Sequence, residues 1–274
     1  MAENDEVLSR AEFWDERYAK TDGEAPTHEW FRSFDDLEEF FQKVLFQSAG
    51  RRPDDNPLIL HLGSGDSEVP AEFHMRGYRR QICVDFSAKA VEIMSERYKS
   101  RPEILWVEMD VRDMKGIADR SVDVAFDKGT FDAMIHGSPW SPPPDVRDNT
   151  SRYLKEVHRV LKDHGVFIYV TFRQPHFMRP LLDAPGLWSL DLEVLGGKGG
   201  AFDYYGWILQ KKTRREQTPR NGDNGRENNW HYALREARRA NGAGRLTWEK
   251  RKRPQMREVT VAALFTFAVC IARM

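Results

Sequence analysis

The sequence predicts an α/β protein with a doubly wound, largely parallel sheet. From Leu58 onward, short apolar runs alternate with amphipathic stretches, in the order LILHL, QICVDF, KAVEIMSERY, ILWVEMD, VDVAFD, RYLKEVHRVL and VFIYVTF. This alternation is typical of βαβ units around a parallel sheet. A glycine turn follows LILHL directly, as it does where the first strand of such a sheet leads into a helix.

The later elements complete this sheet. In RYLKEVHRVL the apolar residues recur at steps of three and four, which predicts a helix with one face buried against the sheet. We expect Gly165, which follows, to adopt the left-handed conformation that ends the helix. LWSLDLEVLG and FDYYGWILQKK are joined by GGKGG and predict an antiparallel hairpin that closes one edge of the sheet.

Composition restricts the class of protein. Of the 274 residues, 40% are hydrophobic and 31% are charged, which excludes a chain that is disordered throughout. Cys83 and Cys270 are far apart and match no ligand spacing, so we expect neither a disulfide nor a metal site, and a reducing, intracellular compartment. The longest apolar run, 259–271, is shorter than the ~20 residues of a membrane helix, so we expect no membrane span.

Charge divides the chain near residue 210. Residues 1–210 carry 26 basic and 37 acidic side chains, whereas 211–274 carry 16 and 6. We expect a helical cap over residues 1–50, a catalytic core over 51–212, and a basic, disordered tail with a short apolar end over 213–274. Because the tail contains few aromatic residues and no RNA-binding motif, we expect no nucleic-acid ligand.

The ends of the first three strands indicate a nucleoside site. Gly63 and Gly65 follow LILHL, where the absence of a Cβ lets the backbone approach a ligand. Asp85 ends the second strand, 20 residues past Gly65, where an acid binds both ribose hydroxyls. Asp110 ends the third strand. This order predicts a ligand that contains a nucleoside.

The sixth position of the glycine turn distinguishes two nucleoside ligands. Dinucleotide-binding proteins use G-x-G-x-x-G to place a pyrophosphate at a helix N-terminus. Here that position is Glu68, and Asp66 lies two residues before it. Two carboxylates repel a pyrophosphate and tolerate a sulfonium cation, which favours S-adenosylmethionine over a nicotinamide dinucleotide.

Four motifs are similar to those of class I S-adenosylmethionine-dependent methyltransferases. HLGSGDS resembles motif I, VDFS the ribose-binding motif, MDVRD the adenine-binding motif, and AFDKGTFDA a fourth motif at the end of strand four. Within the last, DKGTFDA resembles a hallmark of the methyltransferase-like 13 group, several members of which methylate lysines of translation elongation factor 1-alpha. FWDERY, EWF and PHF are also similar to this group. Motif I departs from the group at Asp66, where a small neutral residue or Asn is usual.

The resemblance implies a Rossmann-like, seven-stranded mixed sheet with an N-terminal helical cap over S-adenosylmethionine. The cap residues implied at the cofactor are Trp14, Tyr18 and Trp30. The core residues implied there are Gly63 and Gly65 at the methionine moiety, Asp85 at the ribose, and Phe86, Asp110 and Val111 at the adenine.

Methyl transfer to an amine requires alignment and a dry site more than a strong base. Asp127 is the candidate catalytic residue, because a carboxylate at the end of strand four can orient the substrate amine. Its alternative role is to cap the turn after that strand. Lys128 is expected to pair with Asp127, Asp132 or the cofactor carboxylate. The proline-rich segment HGSPWSPPP is expected to hold Trp140 at the rim of the site.

The favoured interpretation is a cytoplasmic protein-lysine methyltransferase whose substrate is translation elongation factor 1-alpha. The acidic body of the chain favours the approach of a basic substrate. Two alternatives remain: a small-molecule N-, O- or C-methyltransferase, because one fold hosts many reactions, and a catalytically silent cofactor-binding scaffold. The intact glycine turn and strand-end aspartates argue against the scaffold.

Overall fold

Seven strands form one mixed sheet in the computed structural model, which describes residues 6–20, 29–183, 186–196 and 203–212. The strands are β1 (Leu58–Leu62), β2 (Arg80–Asp85), β3 (Ile104–Glu108), β4 (Val122–Lys128), β5 (Leu161–Thr171), β6 (Trp188–Leu195) and β7 (Tyr204–Lys211). Their order in space is β3-β2-β1-β4-β5-β7-β6. The first five strands are parallel, and β7 runs antiparallel to β5 and β6. The expected fold class is confirmed.

The helices connect these strands and cover the sheet. They are α1 (Ala11–Ala19), α2 (Phe34–Phe41), α3 (Val69–Met75), α4 (Ala88–Arg97), α5 (Thr130–Ala133), α6 (Pro144–Val160) and α7 (Pro175–Leu182). Short 3-10 turns lie at Val7–Ser9 and Pro53–Asp55, and α2 continues into a π-helical turn, Gln42–Phe46.

The chain reverses its winding direction at β1, which positions the site. Leu62 at the end of β1 pairs with Val84 of β2 on one side and with Asp127 of β4 on the other. The glycine turn after Leu62 therefore lies between the carboxyl ends of β2 and β4. In open α/β sheets, ligands bind in the crevice at this reversal point.

The two helices of the expected cap, residues 1–50, pack against different parts of the protein. Ser33 caps α2 by accepting a hydrogen bond from Asp36 N at 3.2 Å. The ring of Phe41 on α2 packs against Phe73 and Phe126, with centroids 4.9 and 5.5 Å away. Helix α2 thus belongs to the core of the sheet, whereas α1 lies on α4. The domain boundary at residue 50 stays a prediction.

The turn into β5 differs from the prediction. Helix α6 ends at Val160 and β5 begins at Leu161, before Gly165 is reached. The left-handed residue is His164, with φ of +64°, so the conformation expected for Gly165 is wrong. A Cβ on Gly165 would lie 2.9 Å from the main-chain oxygen of Lys162. Gly165 is thus explained by a close approach of the backbone, which sequence periodicity does not reveal.

The predicted hairpin is confirmed by the pairing of β6 with β7, and it is β7 that joins the hairpin to β5. Within the described ranges, no helix is long and apolar enough to cross a membrane. The same ranges contain no group of three or more His, Cys, Asp and Glu residues arranged to hold a metal ion. The expected tail, 213–274, lies outside the described residues.

Candidate active site

The glycine turn after β1 makes close contacts with two other elements. Gly63 and Gly65 have φ of +60° and +51°, a left-handed conformation that glycine adopts at little cost. A Cβ on Gly63 would lie 2.1 Å from Thr130 Oγ1, and a Cβ on Gly65 would lie 2.6 Å from Tyr18 Oη. Both glycines are therefore required by packing, the first against α5 and the second against α1.

Asp85 faces this turn from the end of β2. Its Oδ2 accepts a hydrogen bond from Gly65 N at 2.8 Å, and its Oδ1 accepts one from Ser87 N at 2.9 Å. Burial raises the pKa of Asp85 to about 6, although both main-chain hydrogen bonds lower it. Each carboxylate oxygen has a further lone pair. Asp85 can therefore accept two hydroxyl donors in addition to its main-chain partners.

Helix α1 is fastened to the core beside Asp85. Asp15 on α1 accepts a hydrogen bond from Ser87 Oγ at 2.5 Å and one from Lys89 N at 3.3 Å. These donors lie at the N-terminus of α4, where a negative charge is favourable. The sequence does not predict this role of Asp15, because nothing in the motif FWDERY indicates that its aspartate contacts the N-terminus of α4.

The three aromatic residues expected in the cap lie together. Trp14 and Tyr18 stack with their ring centroids 5.9 Å apart, and Trp30 packs edge-on against Trp14, also at 5.9 Å. Tyr18 is buried, and burial, together with the charges of Asp85 and Asp66, raises its pKa well above its ordinary value. The structure thus places this aromatic group beside the glycine turn. Contact of these residues with the cofactor stays a prediction.

Lys128 is tied to the N-terminal segment. Its Nζ donates to the carboxylate of Glu29 and, at 2.6 Å, to the main-chain oxygen of Trp30. Only 4% of the Lys128 side chain is exposed, and burial lowers its pKa while the charge of Glu29 opposes this change. The expected pairing with Asp127 or Asp132 is therefore replaced by an ion pair with Glu29. Its expected contact with the cofactor stays a prediction.

Glu29 also holds the turn that follows the glycines. Its Oε1 accepts a hydrogen bond from Ser67 Oγ at 2.8 Å, and its Oε2 accepts one from Glu68 N at 3.1 Å. The side chain of Glu68 is exposed, whereas Asp66 is buried. Of the two carboxylates expected at the ligand, Asp66 alone is buried in the site. Glu29 joins the N-terminal segment, the turn and Lys128, a role that requires contacts distant in sequence.

Asp127 at the end of β4 is completely buried. Its Oδ1 accepts a hydrogen bond from Thr130 N at 2.9 Å, and its Oδ2 accepts from Phe131 N at 3.0 Å and from Tyr153 Oη at 2.5 Å. Burial raises the pKa of Asp127 to about 7, and the charge of Asp132 adds to the rise. This geometry matches the turn-capping alternative. A catalytic role for Asp127 stays a prediction.

Asp110 after β3 is engaged by a residue that sequence reasoning missed. Arg112 donates to Asp110 Oδ1 from its main-chain N at 2.8 Å and to Oδ2 from Nη2 at 2.7 Å. Burial raises the pKa of Asp110, but these hydrogen bonds outweigh it and hold the pKa below its ordinary value. Phe86 is half-buried and Val111 is buried. The adenine contacts of the three predicted residues stay predictions.

Comparison with known proteins decides the family. The Methyltransferase domain family matches residues 60–169, a stretch that begins within β1 and ends within β5. EEF1A lysine methyltransferase 4 of Bos taurus is 34% identical to this chain over 203 residues, or 73% of this chain and 74% of that protein. This chain belongs to the EEF1A lysine methyltransferase 4 family. It is an S-adenosylmethionine-dependent methyltransferase.

A second relative is longer than this methyltransferase. The eEF1A lysine and N-terminal methyltransferase homolog of Drosophila melanogaster is 30% identical over 179 residues, which are 65% of this chain and 24% of that protein. The N-methyltransferase NodS of Bradyrhizobium japonicum, solved with S-adenosyl-L-homocysteine, aligns with a TM-score of 0.51 at 12% identity over 73% of this chain and 98% of NodS. At that identity, the structural similarity supports the fold.

The residues at the carboxyl edge of this methyltransferase fit its cofactor. Asp85 presents a buried carboxylate with acceptor capacity left for two ribose hydroxyls. Phe86, next to it, is half-buried and offers a ring face for a base. Gly63 and Gly65 lie in direct contact with Thr130 and Tyr18, so the glycine turn keeps its close packing beside Asp85.

Trp140 of the proline-rich segment contacts the PHF motif, and its expected place at the rim of the site stays a prediction. It is 80% exposed, and its ring packs against Phe177 with centroids 4.8 Å apart. Phe177 belongs to the PHF motif at the start of α7. The proline-rich segment and the PHF motif, which are distant in sequence, therefore share one surface of the methyltransferase.

Proposed function

We propose that this methyltransferase acts in the cytoplasm on a lysine ε-amine of translation elongation factor 1-alpha. The observation that carries the proposal is the 34% identity to EEF1A lysine methyltransferase 4, which extends over about three quarters of both chains. The heptapeptide Asp127 to Ala133, at the end of β4, adds support because it lies at the reversal point of the sheet.

The proposed cofactor site uses the carboxyl ends of β1, β2 and β3. Asp85 would bind the ribose hydroxyls, Phe86 and Asp110 the adenine, and the turn at Gly63 and Gly65 the methionine moiety. When bound, S-adenosylmethionine supplies a methyl group on a sulfonium, whose sulfur keeps the electrons of the C–S bond as an amine nitrogen takes the methyl. Tyr18 and its stacked partner on α1 would exclude water from this region.

The proposed role of Asp127 is positioning. Its carboxylate accepts hydrogen bonds from Thr130 N and Phe131 N, so it would maintain the turn at Gly129. A fully enclosed carboxylate has no route to a substrate proton. The lysine would therefore lose its proton to water before transfer, and the enzyme would supply alignment and a dry site.

The test uses the purified enzyme, S-adenosylmethionine labelled on its methyl group, and purified elongation factor 1-alpha. We expect label on the factor, and mass spectrometry should place it on a lysine. The Asp85→Ala variant serves as the control for cofactor-dependent labelling. A second incubation replaces the purified factor with a cell lysate. No label on the factor in the first incubation, with label only in the small-molecule fraction of the second, would contradict the proposal and support a small-molecule methyltransferase.

A further inference from the structure

Three aromatic side chains from separate parts of the chain meet beside the end of β4. Phe31 precedes α2, Phe172 follows β5, and Tyr204 begins β7. The ring of Phe31 lies 5.2 Å from that of Phe172 and 5.9 Å from that of Tyr204, centroid to centroid. We name these three residues the aromatic recess. They converge at the carboxyl edge of the sheet, where the substrate must approach.

The recess directly adjoins the turn of the heptapeptide at Gly129. A Cβ on Gly129, whose φ is +96°, would lie 3.2 Å from Phe31 Cε2. Phe31 itself has φ of +63°, a conformation that is strained for a bulky side chain. Such strain persists where the surroundings impose it, and it is concentrated at ligand-binding sites. The backbone at both residues thus brings the ring of Phe31 onto the turn.

The recess differs from the aromatic core of the protein. Phe40, Phe41 and Phe73 in the core are at most 2% exposed. Phe31, Phe172 and Tyr204 are all half-buried. The three residues therefore keep some exposed surface, although Tyr204 also packs against the core, whereas the core phenylalanines are almost completely buried.

Cations lie over the rings of the recess. The guanidinium of Arg32 is 4.3 Å from the ring centroid of Tyr204, and that of Arg173 is 5.4 Å from the centroid of Phe172. Arg173 is also 3.2 Å from a carboxylate oxygen of Asp132. Asp132 offsets the charge of Arg173, so Arg32 supplies the positive charge that disfavours a further ammonium at this apolar surface and tolerates an uncharged amine on an alkyl stem.

We propose that the aromatic recess receives the side chain of the substrate lysine in its neutral form and directs its nitrogen toward the turn at Gly129. This inference rests on the proposed function, because it assigns the subsite for the acceptor of that reaction. It explains why rings from three separate elements remain partly open at the edge where transfer takes place. The methylene stem of lysine would lie against the rings, and Arg32 would favour the nucleophilic form of the amine.

The first test replaces a ring and separates substrate from cofactor binding. For Phe172→Leu we expect the KM for elongation factor 1-alpha to rise about tenfold, with the Kd for S-adenosylmethionine unchanged within about twofold. Tyr204→Leu, on a different element, should have the same effect. Phe46→Leu is the matched control, because Phe46 is also half-buried but packs against Tyr78, 5.8 Å away, in the core.

The second test needs no protein substrate. Saturation-transfer NMR with n-butylamine at pH 10, where roughly a quarter of a lysine-like amine is uncharged, and in the presence of S-adenosylhomocysteine, should detect binding to the wild-type enzyme and to Phe46→Leu. The signal should be lost in Phe172→Leu and Tyr204→Leu. Equal signals in all four proteins, or a loss of cofactor affinity that parallels the loss of turnover, would overturn the recess. If the wild type binds n-butylamine through these rings but leaves the elongation factor unlabelled, the proposed function fails and the recess stands.

Discussion

The ends of β2 and β4 hold two aspartates with similar electrostatics and different surroundings. Burial raises the pKa of Asp85 to about 6 and that of Asp127 to about 7. Asp85 accepts one main-chain N–H on each oxygen, from Gly65 and from Ser87, and has further acceptor capacity. Asp127 is enclosed by two main-chain donors and by the hydroxyl of Tyr153. A raised pKa is therefore common to both aspartates. They differ in their hydrogen bonds, because Asp85 accepts one donor on each oxygen whereas Oδ2 of Asp127 accepts two.

The largest expected effect is on the stability of the β4 end. Asp127→Ala removes the acceptor of two main-chain N–H groups and of Tyr153 Oη. Because a buried donor left without a partner costs about 1–3 kcal/mol, we expect the free energy of unfolding to fall by about 3 kcal/mol or more. Urea denaturation measures this change, and Asp127→Asn, which keeps one acceptor oxygen, should lose less. A variant of wild-type stability that has lost turnover would instead assign Asp127 a catalytic role.

The next effect is on cofactor binding at the β2 end. Asp85→Ala removes the acceptor proposed for both ribose hydroxyls, and we expect a loss of roughly 1.5 to 3 kcal/mol in binding free energy, or about ten- to a hundredfold in Kd. Isothermal titration calorimetry with S-adenosylmethionine measures this directly. Glu108→Ala is the matched control, because Glu108 pairs with Asp85 across β2 and β3 and is exposed. Equal affinity in Asp85→Ala and the wild type would remove Asp85 from the site.

A smaller effect is expected where the N-terminal segment joins the two ends. Glu29→Gln leaves the buried charge of Lys128 without its carboxylate and weakens the hold on Ser67. We expect cofactor affinity to fall by about 1.5 kcal/mol, the size of a hydrogen bond to a charged group. Adding Lys128→Met should restore thermal stability, because it removes the unpaired charge. A double variant no more stable than Glu29→Gln would show that the ion pair is not what Glu29 contributes.

The smallest effect is the pH dependence of cofactor binding. Because the pKa of Asp85 is raised to about 6, its ionised form dominates above pH 6 and is lost as the pH falls through 6. The ionised form is the acceptor, so affinity should be complete at pH 7 and about tenfold lower at pH 5, or ~1.4 kcal/mol. Calorimetry in buffers of different ionisation enthalpy should detect proton release on binding near pH 5.5. Asp85→Asn should bind weakly with a flat profile, and a sloping profile would assign the titration to another group.

The order of strands and glycine turn could be predicted because each signal is local. Periods of two and of three to four residues separate strand from helix within about ten positions. The meeting of Gly63, Gly65 and Asp85 at one edge of the sheet could be predicted too, because neighbouring parallel strands align their carboxyl ends. Even so, the left-handed residue before β5 is His164 and not Gly165. Glycine permits that conformation, but the register of β5 with β4 decides where the chain adopts it.

The sequence by itself determined the fold class, the family and the edge of the sheet that carries the site, because these depend on patterns within short stretches. Only the tertiary structure decided which residues the side chains of the site contact. It paired Lys128 with Glu29, enclosed Asp127 with Tyr153, engaged Asp110 with Arg112, and joined Phe31 to Phe172. The first, second and fourth of these contacts join residues that are far apart in the chain, and a carboxylate in a sequence carries no sign of which donor will reach it. Burial and hydrogen bonding, which set the pKa and the remaining acceptor capacity, exist only after the chain has packed.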